Sequence, residues 1–120
     1  MSAPEGLHPQ FKLWISSSVA EGVFGDGKWR LLSAIARDGS LRAAAQELGI
    51  SYRKAWGDLK KAEECLGITF IHKHRGGSRG GKTSLTSEGR KWVEAYSRFR
   101  EELEKAADNS FQNNIRVLLD

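Results

Sequence analysis

The segment 49–51, Gly-Ile-Ser, constrains the fold of this chain more than any other feature. It separates two stretches of helical character, residues 41–48 and residues 52–66. Ser40 and Ser51 precede these stretches, at positions where a serine hydroxyl can accept a bond from a backbone N–H of the first turn. The apolar residues of the longer stretch recur at helical spacing, at Ala55, Leu59, Ala62 and Leu66. The sequence therefore predicts two helices joined by a tight turn.

A further helix is predicted just before this pair, over residues 28–38. Its apolar stripe consists of Trp29, Leu32, Ile35 and Ala36. Gly39 suits the left-handed residue that commonly follows a helix. In a helix-turn-helix, the first helix of the pair braces the second, so that the second can lie in the major groove of DNA. The pattern indicates such a motif, with residues 52–66 as the recognition helix.

Extended segments flank the helical centre. Residues 11–16 alternate apolar and polar side chains, which predicts a half-buried strand, and the glycines of residues 22–27 predict a turn after it. Residues 68–72 and 83–86 are predicted to pair as a hairpin around the glycine-rich run RGGSRGGK, residues 75–82. This hairpin is predicted to be the wing of a winged helix-turn-helix.

A long helix is predicted from Ser87 to about Ala107, with one apolar side formed by Trp92, Val93, Tyr96, Phe99 and Leu103. The predicted fold is mainly α with a small β-hairpin: a winged helix-turn-helix with an N-terminal strand and a long C-terminal helix. The predicted divisions are a disordered lead (1–10), the N-terminal strand and turn (11–26), the winged helix-turn-helix (27–86), a dimerisation helix (87–108) and a tail without assigned structure (109–120).

Length and composition exclude several classes of protein. The 120 residues fit one domain, and 39% hydrophobic with 28% charged residues is neither membrane-like nor disordered. The single cysteine, Cys65, excludes an intrachain disulfide and a cysteine-rich zinc module. We see neither a secretory signal nor an apolar run that approaches the ~18 residues of a membrane span. We expect a cytoplasmic, prokaryotic, nucleoid-associated protein.

The charge of the chain is distributed unevenly. The formal total is only +4, but residues 28–98 contain 15 Lys or Arg against 7 Asp or Glu, a net of +8. The flanks carry a net of −4. A basic centre that coincides with a helix-turn-helix indicates double-stranded DNA as the partner.

The polar side of the recognition helix supplies candidate DNA contacts. Arg53 and Lys54 lie in the first turn, where such helices usually meet base edges, and arginine can bind guanine in bidentate fashion. Gly57 costs ~1 kcal/mol against alanine inside a helix, so we expect it where DNA or a neighbouring helix comes close. Ser40 is a candidate contact to the DNA backbone. The cations of the wing, which can follow a phosphate backbone, are Lys73, Arg75, Arg79 and Lys82.

Other chemistries have weaker support. Residues 76–83, GGSRGGKT, match a phosphate-binding loop, but that loop needs a helix at its Lys-Thr end, where an extended segment is predicted. His72 and His74 could share a face as a metal pair, although two imidazoles are short of the usual four ligands. Cys65 would need a catalytic base and an orienting group to act as a nucleophile, and the sequence shows no such arrangement. We therefore predict no enzyme activity, no catalytic residue and no metal site.

The spacing of the tryptophans predicts whether each one packs in the core or faces outward. Trp29, Trp56 and Trp92 fall at core positions of helices, so we expect them to pack rather than to stack on bases. Trp14 lies on the outward side of the first strand. We predict a dimer interface from Trp14 and from the apolar side of the long helix, formed by Trp92, Tyr96, Phe99 and Leu103.

The stretch LLSAIARDGSLRAAAQELGISYRKAWGDLKKAEECLGITFIHKHRGGSRGGKTSLTSEG resembles the N-terminal winged-helix domain of ModE-type, molybdate-responsive transcriptional regulators, within the LysR-like group. The resemblance covers about residues 28–105. The resemblance rests on Gly39-Ser40, residues 51–56 (SYRKAW), the GG-x-x-GG wing and Leu85-Thr86-x-x-Gly89.

The resemblance implies a sequence-specific DNA-binding regulator that acts as a homodimer on a palindromic operator. It implies that Ser51, Tyr52, Arg53 and Lys54 approach the groove, and that Arg75, Arg79 and Lys82 approach the backbone. The family's molybdate-binding region has no counterpart in the sequence, so we expect no cofactor, and either a stand-alone DNA-binding protein or one whose effector resides elsewhere. The alternative is a non-specific architectural or protein-docking module that lacks effector sensing.

Overall fold

The computed structural model of the chain describes residues 5–74 and 82–119. Its helices are α1 (Asp26–Asp38), α2 (Leu41–Glu47), α3 (Tyr52–Leu66), α4 (Ser87–Asn114) and a short 3-10 helix (Arg116–Leu118). Its strands are β1 (Trp14–Ile15), β2 (Phe24–Gly25), β3 (Ile71–His74) and β4 (Lys82–Leu85). β1 pairs with β2 and β3 with β4, both antiparallel. The predicted fold class, mainly helical with a small hairpin, is confirmed.

The core lies where α1, α2 and α3 meet. Ala44 and Ala45 of α2 and Ala55 and Ala62 of α3 are almost completely buried, which lets the helix backbones approach closely. An aromatic cluster closes the core beneath α4: the ring centroid of the fully buried Phe24 lies 5.6 Å from that of Phe70, 5.2 Å from that of Trp92 and 5.2 Å from that of Tyr96. Offset and edge contacts at these distances stabilise aromatic pairs beyond their burial alone.

Serine and threonine caps fix where the helices begin. The Ser40 hydroxyl accepts from the Ala43 N–H at 3.0 Å, and the Ser51 hydroxyl accepts from the Lys54 N–H at 3.0 Å, so both predicted N-caps are confirmed. Gly39 has φ 69° at the end of α1, the left-handed conformation expected of it. The turn of the helix-turn-helix is therefore set by local chemistry.

The β3–β4 hairpin, the wing, is fastened to the turn between α1 and α2. The Thr83 N–H donates to the Gly39 carbonyl at 2.9 Å, and the Leu41 N–H donates to the Thr83 hydroxyl at 3.4 Å. Thr83 is buried. The base of the wing and the helix-turn-helix thus form one body.

The start of α4 packs directly on the wing. Thr86 caps this helix, since its hydroxyl accepts from the Gly89 N–H at 2.8 Å and donates to the Thr69 carbonyl at 2.5 Å. A Cβ atom at Gly89 would lie 2.3 Å from the Phe70 carbonyl oxygen, so only glycine fits there. The 28 residues of α4 span ~42 Å, and its second half extends beyond the core.

The ends of the chain differ from prediction. The N-terminal strand is only two residues long, although the alternation holds: Phe11, Leu13 and Ile15 are half-buried, whereas Lys12, Trp14 and Ser16 are exposed. The predicted lead contains a turn at Glu5–Gly6, and residues 1–4 lie outside the described part.

The long helix was predicted to end near Ala107, but it continues to Asn114. Polar residues around Asp108 have low helix propensity, yet the helix continues through them. Local contacts offset this, because the Asn114 amide donates to the Ser110 carbonyl at 2.9 Å and the Arg116 guanidinium lies 5.8 Å from the Phe111 ring centroid. In the described ranges, no helix is long and apolar enough to cross a membrane.

Candidate nucleic-acid interface

The outer side of α3 is open and cationic. Its inner side buries Ala55, Leu59 and Ala62, whereas Arg53 and Gly57 are exposed on the opposite side, one helical turn apart. A Cβ atom at Gly57 would meet nothing within 4 Å. No helix of the described residues approaches Gly57, so the expectation of a neighbouring helix is wrong there, whereas the expected approach of DNA stays a prediction.

Lys54 and Ser51 are partly engaged within α3 itself. The Lys54 ammonium forms an ion pair with Asp58 at 3.0 Å, and both side chains are exposed. Such a pair contributes little to stability and is easily exchanged for a phosphate. Ser51 is exposed, and its hydroxyl oxygen caps α3; a hydroxyl that accepts a bond can also donate its hydrogen.

Tyr52 and Lys73 connect the recognition helix to the wing. The Lys73 ammonium donates to the Tyr52 hydroxyl and lies 4.8 Å from the centroid of its ring. The same ammonium lies 4.0 Å from the centroid of the Trp56 ring. Lys73 therefore does not extend freely from the wing, as the sequence suggested, but folds onto the side of α3.

The remaining predicted contacts are divided between described and undescribed residues. Lys82 is exposed at the start of β4, opposite His74. Ser40 is half-buried and caps α2 with its hydroxyl. Arg75 and Arg79 lie outside the described residues. The described cations at this face thus come from α3 and from both strands of the wing.

Glu63 has a role that the sequence analysis missed. Its side chain is buried in α3, and its carboxylate accepts from the Phe70 N–H at 2.7 Å and pairs with the Lys60 ammonium at 3.2 Å. It thereby holds the start of the wing against the recognition helix. The available signal was its position, since Glu63 follows Leu59 by four residues and so falls on the apolar side of α3.

The predicted dimer residues fall into two groups. Trp14 is 54% exposed and Phe99 41% exposed, and Leu103 is half-buried, so a partner can reach them. Trp92 is half-buried against the aromatic cluster, with its ring centroid 5.2 Å from that of Phe24.

Tyr96 belongs to the core of its own chain. It is only 2% exposed, and its single hydroxyl hydrogen is shared between the Asp26 carboxylate at 2.8 Å and the Leu13 carbonyl at 3.0 Å. Its place on the apolar stripe of α4 is as predicted, but the stripe faces inward here. Contact with a partner therefore requires side chains other than Tyr96.

A buried ion pair fastens α4 to α1. The Arg100 guanidinium contacts both carboxylate oxygens of Asp26, at 2.9 and 3.2 Å, and the Leu13 N–H donates to the same carboxylate at 3.1 Å. Burial alone raises the pKa of Asp26, but the bonds from Arg100, Tyr96 and Leu13 outweigh it and hold that pKa below its usual value. Burial and the nearby Asp26 carboxylate raise the pKa of Tyr96.

The competing chemistries find no support in this geometry. Lys82 and Thr83 lie in β4, where a phosphate-binding loop needs a helix. His72 and His74 have ring centroids 6.3 Å apart, and the structure, as far as it is described, contains no cluster of three or more His, Cys, Asp or Glu side chains suited to a metal. Cys65 is an exposed free thiol.

The fold and the open cationic helix define a winged helix-turn-helix protein. Residues 27–90 match the family model for bacterial regulatory helix-turn-helix proteins of the lysR family. The chain belongs to this family. Since the family is regulatory, the expectation that the chain is not an enzyme is confirmed.

Relatives and solved structures agree with this assignment. The chain is 34% identical over 87 residues to the molybdenum-pterin-binding protein MopB of Rhodobacter capsulatus, matching 72% of this chain and 32% of MopB. It is 35% identical over 83 residues to the molybdenum transport protein ModE of Azotobacter vinelandii, matching 69% of this chain and 31% of ModE. The resemblance to ModE-type regulators is thus confirmed, and the chain spans about a third of the length of these relatives.

The fold is also found in solved structures. A chain of the CbnR_DBD–DNA complex superposes with a TM-score of 0.58 at 24% identity, covering 72% of this chain and 94% of that one. ArgP from Mycobacterium tuberculosis superposes with a TM-score of 0.51 at 18% identity, covering 68% of this chain and 28% of that one. These likenesses establish the winged-helix fold.

Proposed function

We propose that this protein is a sequence-specific DNA-binding transcriptional regulator. The observation that carries the proposal is the outer side of α3, where Arg53 lies exposed in the first turn and Gly57 leaves open space one turn later. Recognition helices make their base contacts from this end. The proposal is further supported by membership of a regulatory helix-turn-helix family and by a DNA complex among the structures of the same fold.

The roles divide between bases and backbone. Arg53 donates to base edges, most favourably to the O6 and N7 atoms of guanine. Ser51, Tyr52 and Lys54 enter the same groove, and Gly57 admits the sugar-phosphate backbone. The proposed phosphate contacts that fix the protein's position on the duplex are Ser40, Lys73, Arg75, Arg79 and Lys82.

We propose that the protein acts as a homodimer on a palindromic operator. Trp14, Phe99 and Leu103 offer the interface, because they are the predicted dimer residues that a partner can reach. A two-fold dimer places two recognition helices about one helical turn of DNA apart, which matches a palindrome. The second half of α4, which extends beyond the core, is long enough to support a partner.

DNA binding requires no cofactor in this proposal, because every proposed contact is a side chain or backbone group of the chain. The core that supports the contacts lies within the chain as well, so the module can act by itself on DNA in the bacterial cytoplasm. The names of MopB and ModE link those proteins to molybdenum, and the proposal carries no molybdenum binding over to this chain.

An architectural module that binds DNA without sequence preference is the second candidate, favoured by the glycine-rich cationic run RGGSRGGK. Selection of bound fragments from genomic DNA separates the two. The proposal predicts enrichment of one motif made of two inverted half-sites. Recovery of fragments without a shared motif, or of a motif without two-fold symmetry, would contradict it.

A further inference from the structure

Two aromatic rings on the wing side of α3 hold three cationic side chains. Tyr52 and Trp56 lie one helical turn apart, and the Lys73 ammonium from β3 contacts both rings. The Arg42 guanidinium from α2 lies 4.6 Å from the Tyr52 ring centroid, and the Lys60 ammonium lies 4.5 Å from that of Trp56. Three elements, α2, α3 and the wing, thus converge on one strip of alternating cations and rings.

The strip keeps most of its positive charge available. In the ranges 5–74 and 82–119, neither Arg42 nor Lys73 forms an ion pair with a carboxylate, whereas Lys60 shares Glu63 with the Phe70 N–H. An aromatic face attracts a cation through its quadrupole but carries no net charge, so it orders the side chain without neutralising it. Lys54, by contrast, must give up Asp58 before it can bind an anion.

The position of the strip suits one chemical class of ligand. It lies on the flank of α3 that faces the wing, beside the outer side that carries Arg53 and Gly57. When a recognition helix lies in the major groove, its flanks face the phosphates that border the groove. The ligand is thus a phosphodiester backbone. This inference rests on the DNA-binding function proposed above.

We propose that Arg42, Lys60 and Lys73, the ring-held cations, bind phosphates of the DNA strand that passes between α3 and the wing. Tyr52 and Trp56 are positioning residues in this scheme: their rings hold the cations before DNA arrives. Ordering a long cationic side chain at an interface is costly, so cations that are already ordered bind more tightly. The expectation that Trp56 is a packing residue therefore covers only half of its role, since its half-buried ring also carries two ammonium groups.

The first test uses the salt dependence of binding to a random-sequence duplex. Each lost phosphate contact lowers the slope of log affinity against log salt by about 0.9. We expect this decrease for Arg42→Gln, with base preference unchanged. Arg98→Gln is the matched control, because it removes an equal charge from an exposed position on α4, two residues from the buried Tyr96 and so on the side away from the core.

The second test separates positioning from packing. Trp56→Phe keeps a ring beneath Lys73, whereas Trp56→Leu keeps apolar bulk without a ring. We expect Trp56→Leu to weaken binding of every duplex about two- to fivefold, and Trp56→Phe to restore most of the loss. Thermal unfolding followed by circular dichroism shows whether each variant is folded. If Trp56→Leu does not fold, Arg42→Gln still tests whether the strip binds phosphates.

Each outcome has a defined consequence. Equal slopes for Arg42→Gln, Arg98→Gln and the unmodified protein overturn the phosphate-binding strip while leaving DNA binding intact. Equal affinities of folded Trp56→Phe and Trp56→Leu overturn the positioning role of the ring. A protein that binds no duplex at all overturns the proposed function itself, which is a distinguishable failure.

Discussion

Arg100 and Asp26 form a two-pronged ion pair between residues 74 positions apart in the sequence. The side chain of Asp26 is 10% exposed and that of Arg100 13%, so the pair is largely withdrawn from water. It joins the first residue of α1 to the middle of α4, and the Tyr96 hydroxyl completes the same network. The long helix is therefore held to the DNA-binding core by charge as well as by aromatic packing.

Replacing Arg100 should be strongly destabilising. Arg100→Ala leaves the Asp26 carboxylate buried with only the Tyr96 and Leu13 donors, and we expect a loss of about 2–4 kcal/mol in the free energy of unfolding. Urea unfolding measures it. Arg98→Ala, on the exposed side of the same helix, should change that free energy by less than about 0.5 kcal/mol. Similar losses for the two variants would show that the ion pair does not matter.

The same network predicts how stability depends on pH. The folded pKa of Asp26 lies below its ordinary value near 3.8, so the unfolded state takes up a proton first as the pH falls. The stability that the carboxylate contributes is present above that value and is lost over the acidic range in which the pH falls through the lower folded pKa. Urea unfolding across this range should show a smaller decrease for Asp26→Asn than for the unmodified protein. Identical pH profiles would contradict the assignment.

Two glycines should respond in opposite ways to alanine. Gly89→Ala places a Cβ atom 2.3 Å from the Phe70 carbonyl oxygen, a backbone atom that cannot easily move, and we expect a loss of about 2 kcal/mol or more. Gly57→Ala meets open space and should gain up to about 1 kcal/mol, since alanine favours the helix. Thermal unfolding of both proteins measures the difference. A stable Gly89→Ala protein would contradict the packing of α4 on the Phe70 backbone, just before β3.

Phe99 and Tyr96 should separate dimerisation from core stability. Phe99→Asp places a charge on an exposed part of α4 and should yield monomers in sedimentation experiments with little change in thermal unfolding. Tyr96→Phe removes the hydroxyl bonds to Asp26 and Leu13, and should cost about 1–2 kcal/mol of stability while leaving the dimer intact. A monomeric unmodified protein at micromolar concentration would contradict the proposed dimer.

The helix-turn-helix was predictable because its signals are local. Ser40, Gly39 and Ser51 act through bonds to their neighbouring turns, so the caps and the bounds of α3 follow from short-range pattern. The winged-helix fold followed from the order of these elements and from the resemblance to ModE-type regulators. The predicted end of α4 was wrong. The helix continues to Asn114, because the contact between Phe111 and Arg116 offsets a polar stretch of low helix propensity.

The partners of individual side chains were not predictable, because they lie far apart in sequence. Nothing near Tyr96 indicates Asp26 as its partner, so an inward stripe and an interface stripe look alike in sequence. Lys73 and Trp56 likewise meet only once the wing has folded against α3. The types of the site residues could be predicted from sequence, but whether they face solvent, the core or each other depends on tertiary packing.

Arg53 carries the proposed base recognition. We expect Arg53→Ala to cost about 1–3 kcal/mol of binding free energy on the selected operator and to relax preference at one base pair of each half-site. Arg79→Ala, in the wing, should weaken binding to all sequences alike. Titration of a panel of operator variants measures both effects. Identical behaviour of the two variants would contradict the division between base and backbone contacts.

The central claim, sequence-specific binding of DNA, is tested most directly by comparing affinities for the selected operator and for a shuffled duplex over a series of salt concentrations. The account predicts operator binding at least about a thousandfold tighter than binding to the shuffled duplex, with a steep salt dependence for both. Equal affinities for the two duplexes, or binding that barely changes with salt, would contradict it.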